Sequence, residues 1–175
     1  TQRSEVIKYL EIITPNETFT SDANLIAFRN GVFDLATDNL LPFSPEYIIT
    51  NKIPWDYNPN AYSELADSTL NKISCGDESI RYLLEECIGY CFFRQNELSK
   101  SFILTGQGSN GKSTFLDMVK NVLARQNYVS LDLDELSEKF STTTMYGKLA
   151  NIGDDISDDF LQGKAIAQFK KIVSG

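Results

Sequence analysis

The chain has 175 residues, 42% of them hydrophobic and 23% charged, within the range of globular proteins built from one or two small domains. That length suffices to bury a core without disulfides or metal, and no apolar run approaches the roughly 20 residues of a membrane helix. A net charge of −8 argues against a nucleic-acid-binding surface, because phosphate contacts need clustered Lys and Arg.

The N-terminus, Thr1 to Ser4, is polar and has no signal-peptide apolar core. It reads as cytoplasmic or nucleocytoplasmic, and as part of something longer. Ser4 to Ile13 puts Val6, Leu10 and Ile13 on one helical face, and Pro15 stops the helix. From Leu25 to Ile53 the segments LIAF, VFDL and LLPF read as short strands, with Asn30-Gly31 and ATDN as turns. Pro42, Pro45, Pro54 and Pro59 then mark an extended, irregular stretch holding Trp55 and Tyr57. Ser63 to Ile73 is a predicted helix ending near Gly76. A second helix spans Asp77 to Phe93, with Ile80, Leu83, Leu84, Cys87, Ile88, Cys91 and Phe92 as a core-packing stripe. Cys87 and Cys91 are four apart, but only Cys75 could join them and the chain has no His, so free buried thiols are expected rather than zinc. The absence of His also excludes Ser-His and Cys-His catalysis within this chain.

Polar residues 94–100 mark a domain boundary, giving an upstream domain at 1–97 and a second at 98–175. The second opens with a predicted strand, SFILT (Ser101 to Thr105), followed by a glycine loop and then a helix with Phe115, Val119 and Val122 inward. Tyr128 to Leu133 and Lys148 to Gly153 read as further strands. Ser157 is positioned to cap a last helix, with Asp158 and Asp159 in its first turn and Lys170 and Lys171 in its last.

The loop is Gly106-Gln107-Gly108-Ser109-Asn110-Gly111-Lys112-Ser113-Thr114, a match to G-x-x-x-x-G-K-[ST] between an apolar strand and an amphipathic helix. Its glycines let the backbone wrap closely and turn N–H groups inward, and the helix N-terminus adds partial positive charge. Lys112 is expected to reach the β- and γ-phosphates of ATP, and the Ser113 hydroxyl to ligate Mg²⁺. A glycine-rich turn with a surface lysine is the plainer alternative. Such a loop needs a partner carboxylate beyond an apolar strand. Asp154 and Asp155, after Leu149 to Gly153, fit: Asp154 for the magnesium shell, Asp155 to orient or deprotonate the attacking water. A solvated acidic turn is the alternative there, since Asp158 and Asp159 follow. Asp132, Asp134 and Glu135 form a weaker acid cluster that helix capping explains equally well.

Several segments resemble the primase–helicase family of phages, plasmids and large DNA viruses, in which a superfamily 3 helicase module follows a small upstream domain. GQGSNGKSTF is similar to that family's nucleotide loop. RNGVFDL (Arg29 to Leu35), LLPFSPE (Leu40 to Glu46), NKIPWDYNP (Asn51 to Pro59) and the helix ending ECIGYCFF resemble its poxvirus-type domain. MYGKLANIGDDIS resembles its Gly-Lys-strand-acid-acid segment, and FKKIVSG the start of the stretch leading to its DNA-binding hairpin. The similarity covers most of residues 20 to 175. It implies an α/β fold: a truncated, three-layer, AAA+-like P-loop NTPase core preceded by a small mixed α+β domain. It further implies ATP and Mg²⁺ as cofactors, DNA as partner, a homo-hexameric ring, a replication role and a bacterial or phage-infected host cell. Gly106, Gly111, Lys112, Ser113 and Thr114 then bind nucleotide, and Asp154 and Asp155 are the Walker B acids. The family's sensor Asn, hairpin lysines and arginine finger would lie beyond Gly175, and its primase site before Thr1. The segment alone is therefore expected to bind nucleotide and to hydrolyse it slowly or not at all. A small-molecule kinase is the main competitor, but its loop usually opens the chain and it needs a basic lid not seen here. A transporter-type ATPase lacks its LSGGQ signature, and a degenerate, non-enzymatic module is opposed by the intact Lys112, Asp154 and Asp155.

Overall fold

The computed structural model describes residues 2–13, 22–133, 135–138, 141–153, 156 and 164–174. Helix α1 (Gln2–Ile13) comes first, followed by an antiparallel meander of β1 (Leu25–Phe28), β2 (Gly31–Asp34) and β3 (Asn39–Leu41). Phe28 pairs with Gly31, so the hairpin loop is Arg29-Asn30, one residue earlier than the expected Asn30-Gly31 turn. Gly31 serves the ladder instead: a Cβ on it would lie 2.6 Å from the Leu41 carbonyl oxygen of β3.

The hairpin loop also fastens the proline-punctuated stretch. The Asn30 carboxamide donates to Tyr57 O at 3.0 Å and accepts from Tyr57 N at 2.9 Å. Arg29 forks Asp56, Nε to Oδ1 at 2.8 Å and Nη2 to Oδ2 at 2.6 Å. Ile53 N donates to Ala27 O at 2.8 Å, and Lys52 bridges Ala27 in parallel. The stretch thus runs beside β1, and buried Ile53 packs with Ile26 and Phe33. Tyr57 packs against Phe33 with its ring tilted by 32°, at 4.4 Å between ring centroids.

The Arg29 fork carries a pH signature. Hydrogen bonding from Arg29 holds the Asp56 carboxyl below its usual value of 3.8, against the opposing effect of burial. A depressed carboxylate contributes stability that is present above its unfolded pKa and is lost as pH falls through its folded value. Both partners are exposed, so the energetic effect is small. In an NMR pH titration, Asp56 is expected to ionise below the usual carboxylate range and to return toward it in Arg29→Ala. An Asp56 that titrates normally beside an intact Arg29 contradicts the fork.

Helices α2 (Glu64–Ile73) and α3 (Glu78–Tyr90) are capped by Ser63, whose Oγ accepts from Ala66 N, and by Asp77, which accepts from Ser79 N and Ile80 N. Between them Cys75 and Gly76 adopt positive φ of 53° and 76°, which ends α2. Arg81 ties the two helices, donating to the Asp67 carboxylate at 2.7 Å and to Asn71 Oδ1 at 2.6 Å. α3 ends at Tyr90, and Phe92 and Phe93, expected within the helix, follow in a turn. Its stripe is narrower than expected: Leu84 and Cys87 are buried, whereas Ile80 is 47% and Leu83 52% exposed. One face of a 13-residue helix suffices for the neighbours it has here.

α4 (Lys112–Leu123) buries Phe115, Val119 and Leu123, spaced four apart on one face. Val122, expected inward, lies at the edge of that face and is 37% exposed. Two short parallel strands follow, β4 (Tyr128–Val129) and β5 (Ala150–Asn151). Ladder bonds extend them, Leu149 N to Asn127 O at 2.7 Å and Ile152 N to Val129 O at 2.8 Å. Beyond Val129 the Asn151 side chain takes over the pairing. Its Oδ1 accepts from Leu131 N at 2.8 Å and its Nδ2 donates to Leu131 O at 3.0 Å. The expected strand to Leu133 therefore stops short, and the Asn151 carboxamide stands in for the backbone ladder. Ser101 to Thr105, also expected as a strand, joins no sheet among the described residues. Helix α5 (Lys164–Ser174) closes the described chain. Its last carbonyls, of Ile172 and Val173, accept from Asn96 Nδ2 at 2.9 and 2.5 Å. Ser157, Asp158 and Asp159, expected at its start, lie outside the described residues, as does Asp134.

The architecture is thus mixed α/β with two small sheets. No helix among the described residues is long and apolar enough to cross a membrane. The interior runs across position 97. Leu70, Leu84 and Cys87 share one cluster with Phe115, Val119, Leu123 and Ile152. Buried Asn127 joins the same regions, donating to Lys52 O at 2.9 Å and Leu123 O at 2.8 Å.

Two of the three cysteines sit as expected and one does not. Cys87 is buried and Cys91 half-buried, and burial pushes their thiols up to about 12 and about 11. Cys75 is exposed, because the positive-φ turn after α2 points it away from the core. At pH 8 a thiol reagent is expected to label Cys75 rapidly in the folded chain and the other two only on unfolding. Equal rates for all three contradict this packing.

Candidate functional site

Each residue from Gly106 to Thr114 is described, and the loop runs from the unpaired segment 101–105 directly into α4. Gly108, Ser109 and Gly111 have φ of 81°, 46° and 85°, which turn the chain tightly. Gly111 is doubly constrained. It is the N-cap of α4 in the left-handed region, and a Cβ on it would lie 2.7 Å from Ile73 Cγ1. The last residue of α2 therefore packs under the loop, a contact from 38 positions upstream (111 − 73) that nothing in the sequence signals.

The N-terminus of α4 differs from those of α2 and α3. It has no side-chain cap and no acid in its first turn, whereas those helices have both. Its first N–H groups and its share of the helix dipole are left for an anion. Lys112 opens the helix, and its Nζ donates to Gly106 O at 3.2 Å and Asn110 Oδ1 at 2.9 Å. The ammonium is thus held back over the loop. Gln107, Gly108, Ser109, Asn110, Ser113 and Thr114 are all exposed, so the loop is open to a ligand from solvent.

The expected acid pair, Asp154 and Asp155, lies outside the described residues. What precedes it is described: Ile152, buried, belongs to the same cluster as Phe115 in the first turn of α4. Gly153 runs close to Leu131, with a Cβ position 3.1 Å from its carbonyl oxygen. In the weaker acid cluster, Glu135 accepts from Asp132 N at 2.8 Å and Leu136 N donates to Asp132 O at 3.2 Å, a cap on a 3-10 turn over Glu135–Ser137. Among the described residues no group of three or more Cys, Asp or Glu is arranged to hold a metal. A cavity of about 740 Å³ lies elsewhere, lined by Leu104, Phe115, Leu116, Ala150 and Ile172 among others. It is walled mainly by apolar side chains and is not the phosphate loop.

Residues 1–75 match the family model described as D5 N terminal like. Residues 104–175 match a family of unknown function, DUF5906. The chain is 30% identical over 137 residues to a protein of Acanthamoeba polyphaga mimivirus named "Putative helicase", a match covering 74% of this chain and 14% of that protein. It is 32% identical over 112 residues to an Invertebrate iridescent virus 6 protein of the same description, covering 61% of this chain and 11% of that one. The chain belongs to a primase–helicase family with a D5-like N-terminal domain. Within this primase–helicase chain the D5-like match ends at the turn after α2, and the second match opens two residues before Gly106. The chain thus spans about an eighth of the length of these viral relatives.

Proposed function

We propose that this chain carries the Mg·ATP-binding part of a DNA helicase motor that serves viral-type DNA replication. In this reading residues 98–175 are the N-terminal portion of a three-layer, AAA+-like P-loop core, and residues 1–97 form its accessory domain. Gly106 to Thr114 cradle the triphosphate, with Lys112 at the β- and γ-phosphates. Ser113 and Asp154 hold Mg²⁺, and Asp155 orients the attacking water. The intact protein would act as a homo-hexamer on single-stranded or forked DNA in the cytoplasm.

One observation carries the nucleotide half of the reading. The α4 N-terminus is uncapped and free of acid, and it follows a glycine loop whose single ammonium is already turned over it. That donor set suits a phosphate chain: backbone N–H groups, one lysine and the exposed hydroxyls of Ser109, Ser113 and Thr114. The helicase half is brought to this chain by its viral relatives. The acidic net charge is compatible with it if the DNA-contacting cations belong to other parts of the ring.

Calorimetric titration of the chain with ATP, with and without Mg²⁺, tests the nucleotide half. Saturable binding that weakens when EDTA removes the metal is expected. A chain that takes up no nucleotide under either condition rules the reading out. In the intact protein, Asp154→Asn is expected to spare ATP binding more than hydrolysis, because metal contacts count most as charge develops in the transition state.

A further inference from the structure

Gly106 owes its identity to a neighbour and not to its backbone angle. It is absent from the residues with positive φ, yet a Cβ on it would lie 1.7 Å from Asn110 Nδ2 and 2.9 Å from Asn110 Cγ. The Asn110 carboxamide therefore lies directly across the start of the loop. Its oxygen accepts from Lys112 Nζ at 2.9 Å, while Gly106 O accepts from the same ammonium at 3.2 Å. One short side chain thus spans the loop and holds the lysine.

We propose that Asn110 is a positioning residue for Lys112: its amide nitrogen fills the space over Gly106, and its amide oxygen keeps the ammonium aimed into the loop before a phosphate arrives. The proposal rests on the phosphate-loop reading and adds a division of labour within it. A lysine side chain is long and flexible, so fixing it beforehand lowers the ordering cost of binding. The neutrality of the amide matters as much as its shape. An aspartate of the same shape would grip the ammonium with a charge-assisted bond. It would also set a negative charge inside the cradle that phosphates must enter. Alanine would release the lysine and leave the space over Gly106 empty.

The test is the affinity for Mg·AMP-PNP, by calorimetry, of the unaltered chain, Asn110→Ala, Asn110→Asp, Asn110→Leu, Gly106→Ala and the Gly106→Ala/Asn110→Ala pair. Asn110→Ala is expected to weaken binding about tenfold, the scale of one lost hydrogen bond to a charged group. Asn110→Asp is expected to weaken it further, by about 100-fold, through like-charge repulsion with the incoming phosphates. That repulsion would arise whatever Asn110 does, so Asn110→Leu separates positioning from packing. The near-isosteric apolar side chain fills the same space without an oxygen for the ammonium. A residue that only fills space would tolerate it, whereas a positioning residue is expected to lose about tenfold. Gly106→Ala is expected to weaken binding sharply alone, and Asn110→Ala is expected to add nothing to it or to restore part of the loss. Such non-additivity marks groups in direct contact. Unaltered affinity in Asn110→Ala or Asn110→Leu, or strictly additive losses in the pair, overturns the proposal and leaves the phosphate loop standing. Failure of the unaltered chain to bind overturns the phosphate loop itself, and the proposal with it.

Discussion

Lys112→Ala is expected to weaken Mg·ATP binding at least about 100-fold while leaving the fold intact, the scale set by deleting a charged partner of a multiply charged ligand. Lys112 is the only base between Gly106 and Thr114, so no neighbour in the loop can replace its charge. Among the described residues its ammonium donates to Gly106 O and Asn110 Oδ1, both loop atoms. Removing it strips no apolar side chain from the core, and alanine is a good residue for the first helical turn. The melting temperature is expected to stay within about 2 °C, as for a surface change away from packed features. Isothermal calorimetry and circular dichroism together check both halves. Unchanged ATP affinity would refute this account of the loop, and a collapsed fold would mean that the lysine packs in a way this geometry does not show.

The largest effect on stability is expected from Phe115→Ala, at about 3–5 kcal/mol, the range for emptying a buried aromatic site. Phe115 is 1% exposed and sits one turn from Val119 and two from Leu123 on the α4 face that meets Leu70, Leu84, Cys87 and Ile152. Because those partners come from both sides of position 97, the loss is expected to reach the upstream half. The single tryptophan reports on it directly: Trp55 Nε1 donates to Asn121 O of α4 at 3.2 Å, although Trp55 belongs to the segment beside β1. Urea unfolding followed by Trp55 fluorescence and by far-UV circular dichroism should shift together in Phe115→Ala. A tryptophan transition that keeps its original midpoint while the helical signal moves would show two halves that unfold independently.

Short-range chemistry was the legible part of this chain. The β1–β3 meander follows from LIAF, VFDL and LLPF separated by turn residues, and the α2 and α3 starts follow from Ser63 and Asp77. The glycine loop is legible for the same reason, since its function depends on residue types at fixed local spacing. Pairings between distant segments were not. Arg29 and Asp56 are 27 positions apart, and the two residues have unremarkable neighbours in sequence. Only the fold shows that the hairpin loop locks onto the proline-rich stretch. Ser101 to Thr105 illustrates the converse: its apolar character gives it β propensity, yet a strand is made by a partner, and among the described residues it pairs with none. Cys75 shows how one positive-φ turn reverses an assignment made from composition. At the site, Asn110 was visible as a loop residue, but its reach to Gly106 and Lys112 was not. Ile73 beneath Gly111 left no signal at all.

The central claim, a DNA-coupled ATP motor, is tested most directly by the ATPase rate of the intact protein with and without single-stranded DNA. Strong stimulation by DNA, abolished by Lys112→Ala, is the result this account predicts. Robust turnover that ignores DNA would contradict it and move the chain to a small-molecule kinase or another P-loop ATPase.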